Sequence, residues 1–98
     1  MEITVTGQHV EITDSLRAFV KEKLARLERH FDRAIDTHVV LAIEGDRQVA
    51  QARLSLPGHV LHAESQGDDM YGAIDTMVDK LDSQVRKHKE RDAERSRR

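Results

Sequence analysis

The spacing of the apolar residues changes along the chain from two to about 3.6 and back, and the order of these changes restricts the fold strongly. Ile3 and Val5 alternate with threonines before a glycine, which is typical of a half-buried strand. The next apolar residues are spaced as on one face of a helix, at Leu16, Phe19, Val20, Leu24 and Leu27. Because Thr13 and Asp14 suit a helix N-cap and an acidic first turn, the sequence predicts a strand and then a helix that ends near His30.

Three further strands and a second helix are predicted in the rest of the chain. A turn-prone segment at residues 44–47 separates two alternating apolar runs, Val39, Leu41, Ile43 and Ala50, Ala52, Leu54, Leu56. Pro57 and Gly58 form the strongest turn signal, and a fourth alternating strand begins near Leu61. Asp68 is the expected cap of a long second helix with an apolar stripe of Met70, Ile74, Met77, Val78, Leu81 and Val85.

These elements predict an α+β domain of the order βαβββα. The apolar residues of each strand point to one side of the sheet, so only that face needs to be covered. Both helices are therefore expected on the same side of a four-stranded sheet. Threonine, glutamine, arginine and histidine side chains would remain on the other side. Residues 1–90 are expected to form a single domain, and residues 91–98 a basic, frayed tail because no apolar residue anchors them.

The composition argues against an enzyme, a metalloprotein and a membrane protein. The chain has no cysteine, its glycines are dispersed, and no nucleophile motif surrounds a serine. His59 and His62 have opposite parity on a strand, so with His38 they do not suggest a metal site. No signal sequence and no membrane-spanning run is recognisable. We therefore expect a cytoplasmic protein without catalysis, cofactor, metal or small-molecule substrate.

The charges are unevenly distributed along the chain, although the formal net charge is only −2. Residues 1–79 contain eight Lys/Arg against fourteen Asp/Glu, whereas residues 80–98 contain eight against four. A partner that carries phosphates would attract the basic end and leave the acidic remainder in solvent. The distribution therefore favours nucleic-acid binding through the C-terminal part.

A helical wheel places basic residues on one flank of each predicted helix. The flank of the second helix consists of Lys80, Gln84, Lys87 and Arg91, opposite Asp75, Asp79 and Asp82; that of the first consists of Lys23, Arg26 and His30. These are either ordinary solvated faces or a continuous phosphate-binding track that leads into the basic tail. With one tyrosine and two phenylalanines, the chain is not expected to offer an aromatic platform for single-stranded bases. The mode of RNA binding that remains is recognition of the shape and backbone of folded RNA.

Motifs along nearly the whole chain resemble the ribosome hibernation promoting factor family, also called the sigma-54 modulation or ribosome-associated inhibitor family. The signature is Asp69-Met70-Tyr71-Gly72-Ala73-Ile74-Asp75, continuing through Asp79-Lys80-Leu81 and Gln84 to Lys87-His88-Lys89. Matching residues near the start are Gly7, Val10-Glu11-Ile12-Thr13, Leu16, Lys23, Leu27 and Phe31.

The resemblance implies a fold similar to double-stranded-RNA-binding domains and a place in the decoding channel of the small ribosomal subunit. The partners would be the small subunit with its rRNA and the intact ribosome, and translation would be blocked by occupancy. The family's rRNA-facing pattern falls on Lys23, Lys80, Gln84, Lys87 and Lys89. Arg26, Arg86 and Arg91 are added from their charge alone.

The length of the chain resembles the short form of the family, which promotes inactive ribosome dimers together with a separate ribosome modulation factor in stationary phase or stress. A related stationary-phase inhibitor opposes dimerisation and is the first alternative. A generic double-stranded-RNA-binding module, suggested by the fold alone, is the second. A protein-interaction module acting on transcription or signalling, as the sigma-54 name would suggest, is the third.

Overall fold

The computed structural model describes residues 1–96, and the surroundings of the side chains of residues 1–91. The elements are β1 (Glu2–Gln8), α1 (Asp14–His30), β2 (Asp36–Glu44), β3 (Arg47–Leu56), β4 (His59–Gly67) and α2 (Met70–Ser96). The predicted order βαβββα is confirmed. Each predicted strand lies within an observed one, and the observed strands are longer because sheet pairing continues past the last apolar residue.

The four strands form one mixed sheet in the order β1-β2-β3-β4. β1 and β2 are parallel, since α1 returns the chain to the end of the sheet at which β1 begins. The pairs β2-β3 and β3-β4 are antiparallel hairpins whose register places Val39 opposite Ala52, and Ala52 opposite Ala63. Apolar residues of one parity therefore line up on a single face.

Two-residue loops set the register of both hairpins. Glu44 pairs with Arg47, and Gly45 between them has a φ of 63°, which favours glycine. In the second hairpin Gly58 follows Pro57 with a φ of 72°, as the third position of a type II turn requires. The predicted turns are thus confirmed, with a conformational reason for each glycine.

Short polar side chains cap both helices. The Thr13 hydroxyl accepts a hydrogen bond from the backbone N–H of Leu16 at 3.1 Å, as predicted for α1. The expectation that Asp68 caps α2 is wrong, because the carboxylate of Asp69 accepts from the N–H of Gly72 at 3.1 Å. The helix begins one residue later than expected, where Met70 enters the core.

Both helices pack on one face of the sheet around a common core, as predicted. The fully buried side chains of this core include Val20, Leu24 and Leu27 of α1, Val39, Leu41 and Leu54 of the sheet, and Ile74, Met77, Leu81 and Val85 of α2. Burial of each stabilises the fold by about 1.5–3 kcal/mol relative to leaving it in water. The core therefore fixes α2 against the sheet as far as Val85.

The opposite face of the sheet is less polar than predicted. Val49 is fully buried and Ala42 nearly so, although neither belongs to the core under the helices. The two residues face each other across β2 and β3, and the register places Gln8 and Gln66 on either side of them. Long polar side chains can shield an apolar pair in this position, which alternation within one strand does not reveal.

The second helix continues to Ser96, well past its last core residue, Val85. The division into a domain at residues 1–90 and a frayed tail at 91–98 stays a prediction, and residues 97–98 lie outside the described residues. Within residues 1–96, neither helix is long and apolar enough to cross a membrane.

Candidate nucleic-acid interface

One flank of α2 lies against β4, the outer strand of the sheet. There Lys80 donates from its Nζ to the backbone carbonyl of Glu64 at 2.7 Å. One turn later the Nε2 of Gln84 donates to the carbonyl of His62 at 2.6 Å. Both side chains are therefore held in place along the strand by uncharged acceptors.

These hydrogen bonds leave Lys80 and Gln84 able to bind a further partner. A lysine ammonium and a glutamine amide each carry more donors than the single one used here. A carbonyl acceptor also leaves the full positive charge of Lys80 in place. Phosphate oxygens could thus be contacted without breaking the bonds to β4.

Lys87 and Arg91 continue the same flank toward the end of the described helix. Both are exposed, and in the described part of the chain no carboxylate forms an ion pair with either of them. They border an open depression of about 230 Å³, which is also lined by His59, Leu61, Gln84 and His88. Together with Lys80 they provide three cations along one side of the helix.

The opposite flank of α2 faces α1 and uses its cations differently. The Nζ of Lys23 lies 2.9 Å from a carboxylate oxygen of Asp75. The same Nζ is 5.2 Å from the ring centroid of Phe19. The Lys23 side chain is only 17% exposed, whereas that of Asp75 is 52% exposed. Lys23 therefore joins the two helices, and most of its charge is neutralised there.

Three other predicted cations lie on this α1-facing side. Arg86 pairs with Asp82 one turn earlier at 2.9 Å, and Lys89 donates to the backbone carbonyl of His30 at 2.6 Å. Arg26 borders an interhelical groove of about 150 Å³, which is also lined by Lys23, Leu27, His30, Asp75, Val78, Asp79 and Asp82. This groove contains as many carboxylates as nearby basic side chains.

The predicted site residues thus divide into two sets. We call Lys80, Gln84, Lys87 and Arg91 the β4 flank, and Lys23, Arg26, Arg86 and Lys89 the α1 flank. The structure does not join them into one row, because α2 lies between them. In the sequence, the acidic stripe of α2 and the basic side of α1 indicate this helix pairing.

Two histidines also border the β4 flank and were not expected in the site. His59 begins β4, and its ring is stacked on that of His88 of α2. Their pairing depends on how β4 packs against α2, so no spacing in the sequence indicates it.

The chain matches the family described as Sigma 54 modulation protein / S30EA ribosomal protein over residues 3–93. The chain belongs to this family. It is 46% identical over 91 residues to the "Ribosome hibernation promoting factor" of Pseudomonas putida, covering 93% of this chain and 89% of that protein. The protein of the same name from Escherichia coli K12 is 45% identical, with 93% of this chain and 96% of the relative covered.

Two solved structures are similar to the whole sheet-and-helix arrangement. A ribosomal subunit interface protein from Coxiella burnetii superposes with a TM-score of 0.87 at 34% identity, covering 91% of this chain and 98% of that one. The N-terminal domain of Protein Y from Thermus thermophilus gives 0.83 at 39% identity, with coverages of 90% and 99%. The fold of this chain is therefore that of these two proteins.

Proposed function

We propose that this protein is a ribosome hibernation factor that binds small-subunit rRNA in the decoding channel and blocks translation by occupying it. The observation that carries the proposal is the β4 flank, where three cations and an amide follow one side of a helix and no carboxylate of residues 1–91 pairs with them. Membership in a family whose relatives are named for promoting ribosome hibernation supports it. No catalytic step is part of this function.

Binding through this surface would be mainly electrostatic. Lys80 and Gln84 are already positioned by the β4 carbonyls, so little side-chain freedom remains to be lost when RNA binds. Lys87 and Arg91 add exposed charge at the same edge. On the α1 flank, Arg26 and Lys89 are further phosphate contacts, since the carbonyl of His30 leaves the charge of Lys89 in place. Because contacts to phosphates displace counterions, affinity should fall steeply as the salt concentration rises.

The decisive experiment compares two double variants of equal charge change. Vacant ribosomes are mixed with wild type, with Lys80→Glu/Lys87→Glu, or with the control Lys21→Glu/Arg47→Glu, whose positions are exposed and lie away from the β4 flank. Co-sedimentation and inhibition of in vitro translation are measured at low and high salt. We expect the first variant to lose both activities and the control to keep them. Retained sedimentation of the first variant would overturn the site.

Two further arms address the alternatives. Comparable affinity for an arbitrary RNA duplex and for small subunits would favour a generic double-stranded-RNA-binding module instead. A protein partner that remains bound in RNase-treated lysate would favour the protein-interaction module.

The proposal includes promotion of inactive ribosome dimers with a separate modulation factor, in the cytoplasm. Adding the protein to ribosomes together with that factor should increase the dimer peak in a sucrose gradient. A decrease in that peak would instead identify the inhibitor that opposes dimerisation.

A further inference from the structure

Three rings form a series from the core to the surface at the end of the β4 flank. The ring of Phe31 is buried, and its centroid lies 6.0 Å from that of His88 in an edge-to-face arrangement at 80°. The His88 ring is in turn stacked on His59, with 5.2 Å between centroids and 9° between planes. His59 is therefore supported from below by a ring that the core itself holds.

The outermost ring of this series lies in a basic environment. His59 is exposed and follows the Pro57-Gly58 turn, so it projects at the rim of the sheet. It lines the same depression as Lys87 and Arg91. A flat ring face thus lies beside two cations that no carboxylate of the described chain neutralises.

We propose that His59 is a stacking site for an unpaired nucleobase of RNA, with Lys87 and Arg91 bound to the phosphates on either side of that base. Protein recognition of unpaired bases commonly uses aromatic or histidine rings together with a basic groove. The inference deepens the proposed function, on which its ribosomal setting rests. The expected lack of a tyrosine or phenylalanine platform does not bear on stacking by a histidine ring.

Support by His88 is what makes His59 suited to this role. A single exposed histidine loses side-chain freedom when a base binds, and this loss weakens binding. The His88 stack already restricts the plane of the His59 ring. Much of that entropic cost has therefore been met during folding.

The exposed tyrosine is a poorer candidate. Tyr71 is 40% exposed, but its ring packs against Phe19 with centroids 4.9 Å apart, on the side of α2 that faces α1. The nearest ion pair, between Lys23 and Asp75, leaves little net positive charge there. In the described residues, the lysine that lies over Phe19 beside Tyr71 is already paired with Asp75.

The test uses a short single-stranded RNA and the same strand with abasic sites, both fluorescently labelled. It is performed above the pH range in which histidine titrates, so that stacking is separated from a gain of charge. Wild type should bind the strand with bases about tenfold more tightly than the abasic strand. Equal affinities would overturn the proposal.

Variants of His59 separate the ring from its other properties. His59→Phe keeps a flat ring and should preserve the preference for bases, whereas His59→Ala should abolish it. His62→Ala, an exposed histidine of the same strand, is the matched control and should behave as wild type. Loss of the preference in His59→Phe as well as in His59→Ala would show that stacking is not the role of this residue.

The same variants are then tested on vacant ribosomes. We expect His59→Ala to bind about tenfold more weakly than wild type, and His59→Phe to bind like wild type. If His59→Ala binds normally while Lys80→Glu/Lys87→Glu does not, the stacking site is wrong and the proposed function stands. If wild type prefers bases over abasic strands but does not bind ribosomes, the stacking site stands and the proposed function is wrong.

Discussion

The β4 flank and the α1 flank contain similar cations, but different acceptors hold them. On the β4 flank Lys80 is held by a backbone carbonyl, which fixes its position and leaves its charge intact. On the α1 flank Lys23 and Arg86 are held by the carboxylates of Asp75 and Asp82, which cancel their charge. The position of a basic residue on a helical wheel therefore does not decide whether it can bind phosphate. What decides it is the acceptor that holds the side chain, which is a β4 carbonyl for Lys80 and an α2 carboxylate for Lys23 and Arg86.

The largest effect is expected from a substitution in the apolar stripe of α2, which holds both flanks in place. Leu81 is fully buried in the apolar stripe between them. We expect Leu81→Ala to lower the free energy of unfolding by about 2–5 kcal/mol, because it leaves a cavity under the helix. Urea denaturation followed by circular dichroism measures this, with the exposed Ser83→Ala as control. A loss below about 1 kcal/mol would mean that α2 is not held by this stripe.

Replacing the cations of each flank separately tests the comparison directly. We expect Lys80→Ala/Lys87→Ala/Arg91→Ala to weaken ribosome binding by about tenfold to a hundredfold and to lower its salt dependence clearly. Three substitutions on the other side, Lys23→Ala/Arg26→Ala/Arg86→Ala, should cost much less, because two of these charges are already neutralised. Fluorescence titration of ribosomes at several salt concentrations measures both. Equal losses from the two triple variants would contradict the distinction between the flanks.

Releasing a neutralised cation should raise the affinity for ribosomes instead of lowering it. Asp75→Asn removes the partner of Lys23, so we expect ribosome affinity to rise by about two- to fivefold. The free energy of unfolding should change by no more than about 1 kcal/mol, since Asp75 is half exposed. Asp46→Asn at the exposed hairpin has the same charge change and serves as control. A similar rise in both variants would indicate a general charge effect.

The smallest effect is expected from loss of one positioning bond. Gln84→Leu removes the hydrogen bond to the His62 carbonyl, and we expect it to destabilise the fold by about 0.5–1.5 kcal/mol. Ribosome affinity should fall by only about two- to threefold, because no charge is lost. Thermal unfolding and the same titration measure these changes. An affinity loss as large as that of the triple variant would give Gln84 a direct role in recognition beyond positioning.

The fold could be predicted from the sequence because its signals are local and repeated. Alternation around Val39 and Ala52, helical spacing around Leu24, and the Pro57-Gly58 turn each depend on a few neighbouring residues. The cap of α2 was misplaced by one position, since Asp68 and Asp69 are equally suited to capping. Only the packing of Met70, the first core residue of the helix, decides which of the two is the cap.

The candidate site could be predicted only in part, because its geometry depends on contacts between distant elements. The wheel correctly placed Lys80 on one flank of α2, but it could not show that β4 would be the neighbour there. It likewise could not pair Lys23 with Asp75, or bring His59 onto His88. These contacts depend on the depth and angle at which each helix lies on the sheet.

The hydrogen bonds to β4 also have a consequence for how the free protein behaves at high concentration. β4 is an outer strand, and the exposed backbone of such strands can pair with a second chain and lead to aggregation. The carbonyls of His62 and Glu64 are already occupied by Gln84 and Lys80. An incoming strand would have to displace both side chains before it could pair. The residues proposed to contact RNA thus also hinder the pairing of β4 with a second chain while no ribosome is bound.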